Sequence, residues 1–415
     1  MSFTSAPRAD RWTDVYLATI ARAVSTCGDF LAATALVIAL QTRGSDGFAV
    51  AALLIAAAAP PTVLAPLTGR LADRVDSRRL LVVVTLAEAV VSTLLAFVSA
   101  TPVIIGLVAL LGCGLAITSP TLNALIPEMV SRERLPKTMA VGQMATSIGM
   151  LLAPALGGLL VGQFGLRVPL LIDAGTYLAI TVAGLAIRTR RGGTPVAATG
   201  DGGSGAAPVW SVWRDPLLRS VIIVVAVVVA AVSAVNVAEV FFVRQTLHGS
   251  TTAYGLLAAV WTGAMMAGGW LVIRRQLGDG GFAIALLASL GGACAAVLAA
   301  STVPAVGWMA PLWVIGGVCN GGTNVSAGVL LSRRVPPPVR GRAFAVFSGV
   351  ANGANALGYL LAGIALAAVS ARGLIALSGG VGLVAALAFA VPMWRAARRT
   401  DQPAAVLEPQ VALGA

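Results

Sequence analysis

Arginine and lysine residues alternate between two kinds of gap along this chain, and that alternation constrains its fold more than any other feature. Of its 28 basic residues, 23 lie before the first of twelve long apolar stretches, in every second gap between them, or after the last. The intervening gaps hold only Arg43, Arg167, Arg244 and Arg372, and Arg22 lies inside the first stretch. Because cytoplasmic loops retain lysine and arginine during membrane insertion, the pattern predicts a multi-pass protein of the cell inner (plasma) membrane, with both termini cytoplasmic.

The apolar stretches are long enough to cross a bilayer as helices. A chain with 58% hydrophobic and 11% charged residues cannot keep its apolar surface out of water as a soluble globule. A hydrocarbon core about 30 Å thick needs about 20 helical residues, and backbone groups inside it must pair within the segment. We therefore predict an all-α membrane protein with twelve transmembrane helices in two six-helix bundles. The predicted spans are 15–40, 48–67, 80–100, 103–126, 139–164, 168–187, 221–243, 253–273, 282–300, 305–331, 343–369 and 373–394.

A segment rich in Gly, Ala, Thr, Pro and Ser separates the two halves. Residues 188–219 have the composition of a flexible linker in the cytoplasm. Weak matches at an offset of 205 residues, such as Arg70 with Arg275, support a duplicated six-helix unit, as in transporters whose halves rock around a central site. The other predicted parts are a cytoplasmic tail (1–14), a first bundle (15–187), a second bundle (220–394) and a second cytoplasmic tail (395–415).

Composition and spacing exclude several classes of function. The four cysteines have neither metal nor disulfide spacing, and His248 is the only histidine, so we expect no metal and no cofactor. Lys137, the only lysine, is far from any glycine-rich turn, so no ATP-binding loop of the common kind is present. No nucleophile, base and orienting residue can be grouped, and we expect no enzyme. The arginines favour contact with anionic lipid over nucleic acid, and we expect a monomer.

Five ionisable side chains lie inside predicted spans, where a charge costs at least about 2.5 kcal/mol to insert. Asp29 is near mid-span and shares a helix face with Arg22, seven residues earlier. It is the first candidate for a proton acceptor, with a static ion pair or a packing role as the alternative. Glu88 is either a coupling residue or a buried structural partner. Asp173 and Glu239 lie nearer the outer ends of their spans, which favours an interfacial or capping role over coupling.

Amide side chains form a second polar set in the second half of the chain. Amides bind polar solutes, but they also join membrane helices through hydrogen bonds of about 0.6 to 2 kcal/mol. Either substrate binding or helix packing is therefore expected of these residues. The set comprises Asn236 in the seventh span, Asn320 and Asn324 in the tenth, and Asn352 and Asn355 in the eleventh.

A glycine, an aspartate and a basic cluster mark the loop between the second and third spans. The motif residues are Gly69, Asp73, Arg74, Arg78 and Arg79. The motif resembles the loop motif of the major facilitator superfamily, although Asp76 and Ser77 stand where that family often has a glycine. Glycine permits close helix approach, and aspartate accepts hydrogen bonds from a helix N-terminus. The resemblance implies the major facilitator fold and a conformational role for the motif; a positive loop that only sets topology is the alternative.

The fifth span carries a second motif, made of Gly149, Pro154, Gly157 and Gly158. It is similar to the exporter-associated motif of the same superfamily, and shorter segments are similar to its bacterial drug and enterobactin exporter branch. The resemblance implies a secondary active transporter that exports an amphipathic small molecule, such as a drug, an antibiotic or a siderophore, by alternating access. Protons are the expected coupling ion because the intramembrane acids can titrate, and Na⁺ is the alternative. Helix packing alone is the alternative explanation of the motif. The alternative functions of the protein are an importer, or a receptor or scaffold that has lost transport.

Overall fold

Twelve long α-helices make up the part of the chain that the structure, a computed structural model, describes: residues 12–131, 134–187, 189, 215–275, 277–336 and 339–400. No strand occurs in these ranges, so the predicted all-α fold is confirmed. The helices are α1 (Trp12–Thr42), α2 (Gly47–Arg74), α3 (Ser77–Leu95), α4 (Thr101–Met129), α5 (Leu135–Phe164), α6 (Arg167–Ala186), α7 (Pro216–Phe241), α8 (Thr251–Ile273), α9 (Asp279–Ala300), α10 (Met309–Arg334), α11 (Arg340–Ala365) and α12 (Ala371–Thr400).

Eleven of the twelve described helices are long and apolar enough to span a membrane, as in a multi-pass membrane protein. The exception is α3, because its 19 residues include Arg78, Arg79 and Glu88. The two arginines lie in its first turn, and Glu88 is buried inside the bundle. The polar groups of α3 therefore lie at its end or away from lipid, which lets a less apolar helix take part in the fold.

Side-chain caps fix the beginnings of four helices. Asp46, Asp76, Asp215 and Ser250 each accept a hydrogen bond from a backbone N–H group of the turn that follows, with lengths of 2.9–3.2 Å. Such caps satisfy N–H groups that have no partner within the helix. The cap at Asp215 starts α7 at Pro216, slightly before the predicted linker end at 219. Most of the linker lies outside the described residues, so its bounds stay a prediction.

Asp215 holds the start of α7 in a second way. Nε of Arg334, at the end of α10, donates to its carboxylate at 2.8 Å, whereas Ser250 only caps α8. Losing a cap costs about 1 kcal/mol, and losing a hydrogen bond to a charged group costs about 1.5 to 3 kcal/mol more. We expect Asp215→Ala to lower the thermal unfolding temperature in detergent clearly more than Ser250→Ala. Equal losses would mean that the contact between Arg334 and Asp215 adds nothing to stability.

Helices α1–α6 and α7–α12 form two six-helix bundles, as predicted. In the first half, α1 packs against α5 and α6, while α3 packs against α4 and α6. In the second half, α7 packs against α11 and α12, while α8 packs against α10. The halves touch mainly through α5 with α8 and through α2 with α11.

Among the described residues, the two halves share a hydrophobic core at one end only. We call this the closed end; it carries the loops that follow α1, α3, α5, α7, α9 and α11. Its core joins residues such as Leu40 and Val50 of the first half to Phe242 and Trp313 of the second. The other clusters found in the described ranges each belong to a single half and lie toward the opposite end. That end carries the loops rich in arginine, and we call it the basic end. Among the residues that the structure describes, hydrophobic clusters thus join the halves at the closed end and not at the basic end.

Candidate functional site

A small polar cavity lies between α1, α4 and α6 of the first half. Its volume is about 40 Å³. Because one water molecule needs about 10–15 Å³ of such space, the cavity has room for water but not for a drug-sized solute. The cavity is lined by Arg22, Ser25, Thr26, Asp29, Leu115, Thr118, Ser119, Leu122 and Ile180.

Asp29 of α1 is the acid that opens on this cavity. The hydroxyl of Tyr177, on α6, donates to its Oδ1 at 2.6 Å. No salt bridge between described residues ends on Asp29. The guanidinium of Arg22 lines the same cavity and donates to the carbonyl of Ser119, with a long separation of 3.5 Å. Within the described part of the chain, Asp29 is therefore held by a neutral hydroxyl, not by the ion pair considered from the sequence.

Asp173 of α6 is fully buried where α1 crosses α6. The hydroxyl of Ser92, on α3, donates to its Oδ2 at 2.7 Å. Its Oδ1 has no hydrogen-bond partner among the described residues. A Cβ added at Gly28 of α1 would lie 2.6 Å from that oxygen, so the missing side chain is what admits it. Neighbouring helices cover Asp173 completely, and the choice between an interfacial or capping role and coupling stays a prediction.

Glu88 of α3 is buried against α4. The hydroxyl of Thr118 donates to its Oε2 at 3.3 Å, while Oε1 has no partner in the described ranges. Gly114 leaves room for this carboxyl, since a Cβ there would overlap it. Thr118 also lines the cavity, so a single hydroxyl separates Glu88 from the space that Asp29 faces. Charges on Asp29, Glu88 and Asp173 act on one another.

Glu239 of α7 lies in the shared core at the closed end. It is only 9% exposed, and the indole N–H of Trp313, on α10, donates to its Oε1 at 3.0 Å. The ring of Trp261 meets that of Trp313 edge-on, with 5.8 Å between centroids. The aromatic core covers Glu239, and its role, interfacial or in coupling, stays a prediction.

Two of the predicted amides join helices. Asn355 of α11 accepts a hydrogen bond from Ser233 of α7, which ties two helices of the second half together. Asn352 of α11 donates to the hydroxyl of Thr62 on α2 at 3.2 Å, across the two halves. The packing role considered for these amides therefore accounts for Asn355, while Asn352 lies where the halves face each other.

The other three amides make short-range contacts. Asn324 donates to Asn320 one turn earlier at 3.2 Å, and Asn236 donates to the carbonyl of Ser233 at 3.3 Å. Asn236 and Asn324 are exposed, as is Asn352. Their amide groups keep unused hydrogen-bonding capacity.

The predicted loop motif lies at the junction of α2 and α3. Gly69, Asp73 and Arg74 belong to the last turns of α2, and their side-chain surroundings fall outside the description. Arg78 and Arg79 lie in the first turn of α3, where Arg79 is exposed. The conformational role of this motif stays a prediction.

Two glycines of the α5 motif face α1 in the same half. A Cβ at Gly149 would lie 2.8 Å from the carbonyl oxygen of Ala23, and one at Gly157 would lie 3.1 Å from that of Leu31. The two glycines are eight residues apart and share one helix face. They let α5 pack closely against the helix that carries Asp29.

The other two residues of the α5 motif face α8 in the second half. A Cβ at Gly158 would overlap the carbonyl oxygen of Thr251, at the beginning of α8. The carbonyl oxygen of Pro154 lies where a Cβ of Gly255 would be, so backbone touches backbone across the halves. These contacts belong to the closed end.

The sequence did not assign a role to several residues that surround the acids. Gly28, Ser92, Gly114, Thr118 and Tyr177 contact the three carboxyl groups of the first half. Some signals were present, since Gly28 directly precedes Asp29, and Tyr177 follows Asp173 by one helical turn. The spacing of residues within one helix, however, does not indicate which residues of another helix will face them.

The sequence matches the family profile described as Major Facilitator Superfamily over residues 18–312 and 281–413. A curated relative, the uncharacterized MFS-type transporter YfiS of Bacillus subtilis, is 24% identical over 38% of this chain and 38% of its own length. Macrolide efflux protein A of Streptococcus pyogenes is 33% identical over 30% of this chain and 32% of its own. A multi-drug resistance efflux pump PmrA homolog of Lactococcus lactis is 29% identical over 28% of this chain and 27% of its own length. The chain thus spans only about a third of the length of the curated relatives it matches.

Solved structures share the fold over nearly the whole chain. A mutant of the nucleoside transporter NupG has a TM-score of 0.76 at 15% identity, covering 91% of this chain and 99% of its own. A mutant of the peptide transporter POT, in complex with sulfate, has a TM-score of 0.73 at 14% identity, with 96% of each chain covered. A third structure shows a bacterial homolog to the human lysosomal transporter Spinster in an inward-facing and unoccupied conformation. It has a TM-score of 0.69 at 16% identity and covers 95% of this chain and 96% of its own.

Proposed function

We propose that this chain, which belongs to the Major Facilitator Superfamily, is a proton-coupled exporter of an amphipathic small molecule. Membership of the family makes it a transporter and not an enzyme, as the sequence predicted. The finer assignment concerns the coupling ion, the direction and the solute. It rests most of all on Asp29.

Asp29 has the surroundings that a proton-coupling group needs. Its carboxyl faces a cavity with room for water, and a water molecule there can exchange a proton with it. Its described partner is the hydroxyl of Tyr177, so it can gain or lose a proton without breaking an ion pair between described residues. Arg22 lines the same cavity about two helical turns before Asp29. This combination supports proton exchange at Asp29.

The proposed direction of transport depends on the two ends of the molecule. Among the described residues the halves share a hydrophobic core only at the closed end, and loops rich in arginine are retained in the cytoplasm. We infer that the structure is the inward-facing state, which takes up solute from the cytoplasm. An importer passes through the same state, so the curated relatives named as macrolide and multidrug efflux proteins are what favour export.

The exposed amides support a polar solute path between the halves. A polar side chain facing lipid is costly, whereas one facing a water-filled space is not. Asn352 already touches Thr62 of the opposite half, and Asn236 and Asn324 are likewise exposed. We propose that these three amides contact the solute, with Asn320 supporting Asn324 and Asn355 holding α11 against α7.

Asp29→Asn should abolish gradient-driven transport while leaving the protein folded. The amide keeps the shape of the side chain but cannot carry a proton at physiological pH. The measurement is uptake of a labelled macrolide and of ethidium into everted membrane vesicles that hold a pH gradient, and we expect a fall to the level of empty vesicles. Asp46→Asn is the matched control, because asparagine also caps a helix well. Undiminished gradient-driven uptake by Asp29→Asn would remove Asp29 from the mechanism.

A further inference from the structure

We propose that Asp29 and Asp173 form one coupled carboxyl pair across the crossing of α1 and α6, with Asp173 the second proton-holding group behind Asp29. A role of this pair in transport rests on the proposed function, to which it adds a second proton-holding group. Whether the two groups are coupled is a property of the fold, and it can be measured without any transported solute.

Gly28 is the structural reason for the pairing. Its missing side chain lets Oδ1 of Asp173 reach α1, where a Cβ would lie 2.6 Å from that oxygen and 2.5 Å from Oγ1 of Thr176. Any other residue at position 28 would fill the space that the carboxyl occupies. Because Asp29 is the next residue along the chain, the two acids lie at neighbouring positions of a single helix contact.

Tyr177 contacts Asp29 from the helix that carries Asp173. Its hydroxyl donates to Asp29, and its Cα lies four residues after Asp173 on one face of α6. The helix that carries Asp173 therefore also holds the carboxyl of Asp29 in place. Movement of α1 against α6 must change both contacts together.

The surroundings of Asp173 favour sharing of protons over two independent charges. Ser92 donates to one carboxyl oxygen, and the other has no partner among the described residues. The charge of Asp29 acts on Asp173, and the charge of Asp173 in turn acts on Glu88 and Tyr177. A fully buried carboxylate beside a second carboxylate is strongly unfavourable, so at least one proton resides on the pair.

No hydrogen bond joins the two described carboxyl groups in this structure, so movement of α1 against α6 must bring them together before a proton passes between them. When the Asp173 carboxyl gives its proton to the Asp29 carboxylate, one O–H bond breaks and another forms, and the negative charge passes from Asp29 to Asp173. No oxidant, reductant or further reactant takes part. Asp29 exchanges protons with the water of the cavity, and Asp173 holds the proton where water does not reach it.

Infrared spectroscopy of the purified protein in nanodiscs tests the pairing. The carbonyl band of each protonated carboxyl is assigned by its loss in Asp29→Asn or in Asp173→Asn, and its intensity is followed against pH. In a coupled pair, each substitution shifts the midpoint of the remaining band by about one pH unit or more, and the two shifts are equal because linkage is reciprocal. Midpoints that stay unchanged in both variants would overturn the proposal.

Gly28→Ala tests the route of the coupling, and Gly175→Ala is its matched control. No atom lies within 4 Å of a Cβ at Gly175, on the same helix as Asp173, so this substitution should leave both bands unchanged. Gly28→Ala should separate the bands, so that adding Asp173→Asn no longer shifts the Asp29 midpoint. If Gly28→Ala does not fold, the two asparagine variants still decide the question, because they keep the shape of the site.

Failure of the pairing and failure of the proposed function give different results. A transporter coupled through Asp29 alone would lose gradient-driven uptake in Asp29→Asn and show independent infrared midpoints, which contradicts only the pair. A pair without proton-coupled transport would show reciprocal shifts, together with vesicle uptake that ignores the pH gradient.

Discussion

A valine in place of Gly255 should hold the two halves apart at the closed end of a protein that still folds. The Cβ of any side chain at this position of α8 would overlap the carbonyl oxygen of Pro154 and lie 3.0 Å from its carbonyl carbon. The nearest atoms to that Cβ all belong to α5, in the other half. Backbone of a packed helix cannot yield as the tip of a side chain can, so the contact between the halves is lost while the packing within each half remains.

A buried cysteine at the closed end reports this opening. Ala51 is 1% exposed and faces Gly363 of α11, so Ala51→Cys is covered as long as the halves meet. In a background without the four native cysteines, we expect a membrane-impermeant maleimide to label it at least about tenfold faster with Gly255→Val, since a tenfold change corresponds to about 1.4 kcal/mol. Gly353→Val, on α11 with no atom within 4 Å of its Cβ, should leave labelling slow. Equal protection in all three proteins would show that Gly255 does not control closure.

Gly321→Ala should destabilise the second half itself. A Cβ at this position of α10 would overlap the carbonyl oxygen of Met265 and lie 2.8 Å from the backbone nitrogen of Gly269, both on α8. Overpacking of this kind costs typically about 1–3 kcal/mol and more where backbone must move. Because α8 and α10 belong to the same half, this cost applies in every conformation of the transport cycle.

The same substitution seven residues further along α10 is the matched control. No atom lies within 4 Å of a Cβ at Gly328, and alanine in a helix is favoured over glycine by about 0.5–1 kcal/mol. Thermal unfolding in detergent should therefore show a clear loss for Gly321→Ala and no loss, or a small gain, for Gly328→Ala. Similar melting temperatures for the two variants would mean that α8 and α10 are not in close backbone contact.

These two glycine substitutions separate conformational balance from stability. The clash at Gly255 falls between the halves and arises only when the closed end is sealed. The clash at Gly321 falls within one half and is always present. If the halves move as units, Gly255→Val changes labelling with little effect on unfolding, and Gly321→Ala does the reverse.

Most of the fold was predictable because the membrane acts on properties that are local in sequence. Length and apolar content define a span, and the side on which arginines remain defines its direction. Helix ends were less predictable, since α2 continues to Arg74 and α12 to Thr400, beyond the apolar parts of their sequences. Those turns carry charged residues, which a helix extending out of the hydrocarbon core tolerates.

The candidate site was predictable only in part. Asp29 stands out because a mid-span acid is costly wherever it points. An interfacial or capping role was favoured for Asp173 because position along a span indicates depth. Its complete burial depends on the helices that cross it, which its position along the span does not show. The contacts of Gly28 with Asp173 and of Gly114 with Glu88 join different helices, and no pattern within one helix contains that information.

Paired spin-label distances at the two ends test most directly whether the ends open alternately. Labels at Phe164 and Ser250 report the closed end, where α5 ends and α8 begins, and labels at Met139 and Ile273 report the basic end of the same two helices. All four side chains are exposed. When the pH of nanodisc samples is changed between alkaline and acidic, one distance should lengthen while the other shortens. Distances that change in the same direction, or do not change at either end, would contradict alternating access.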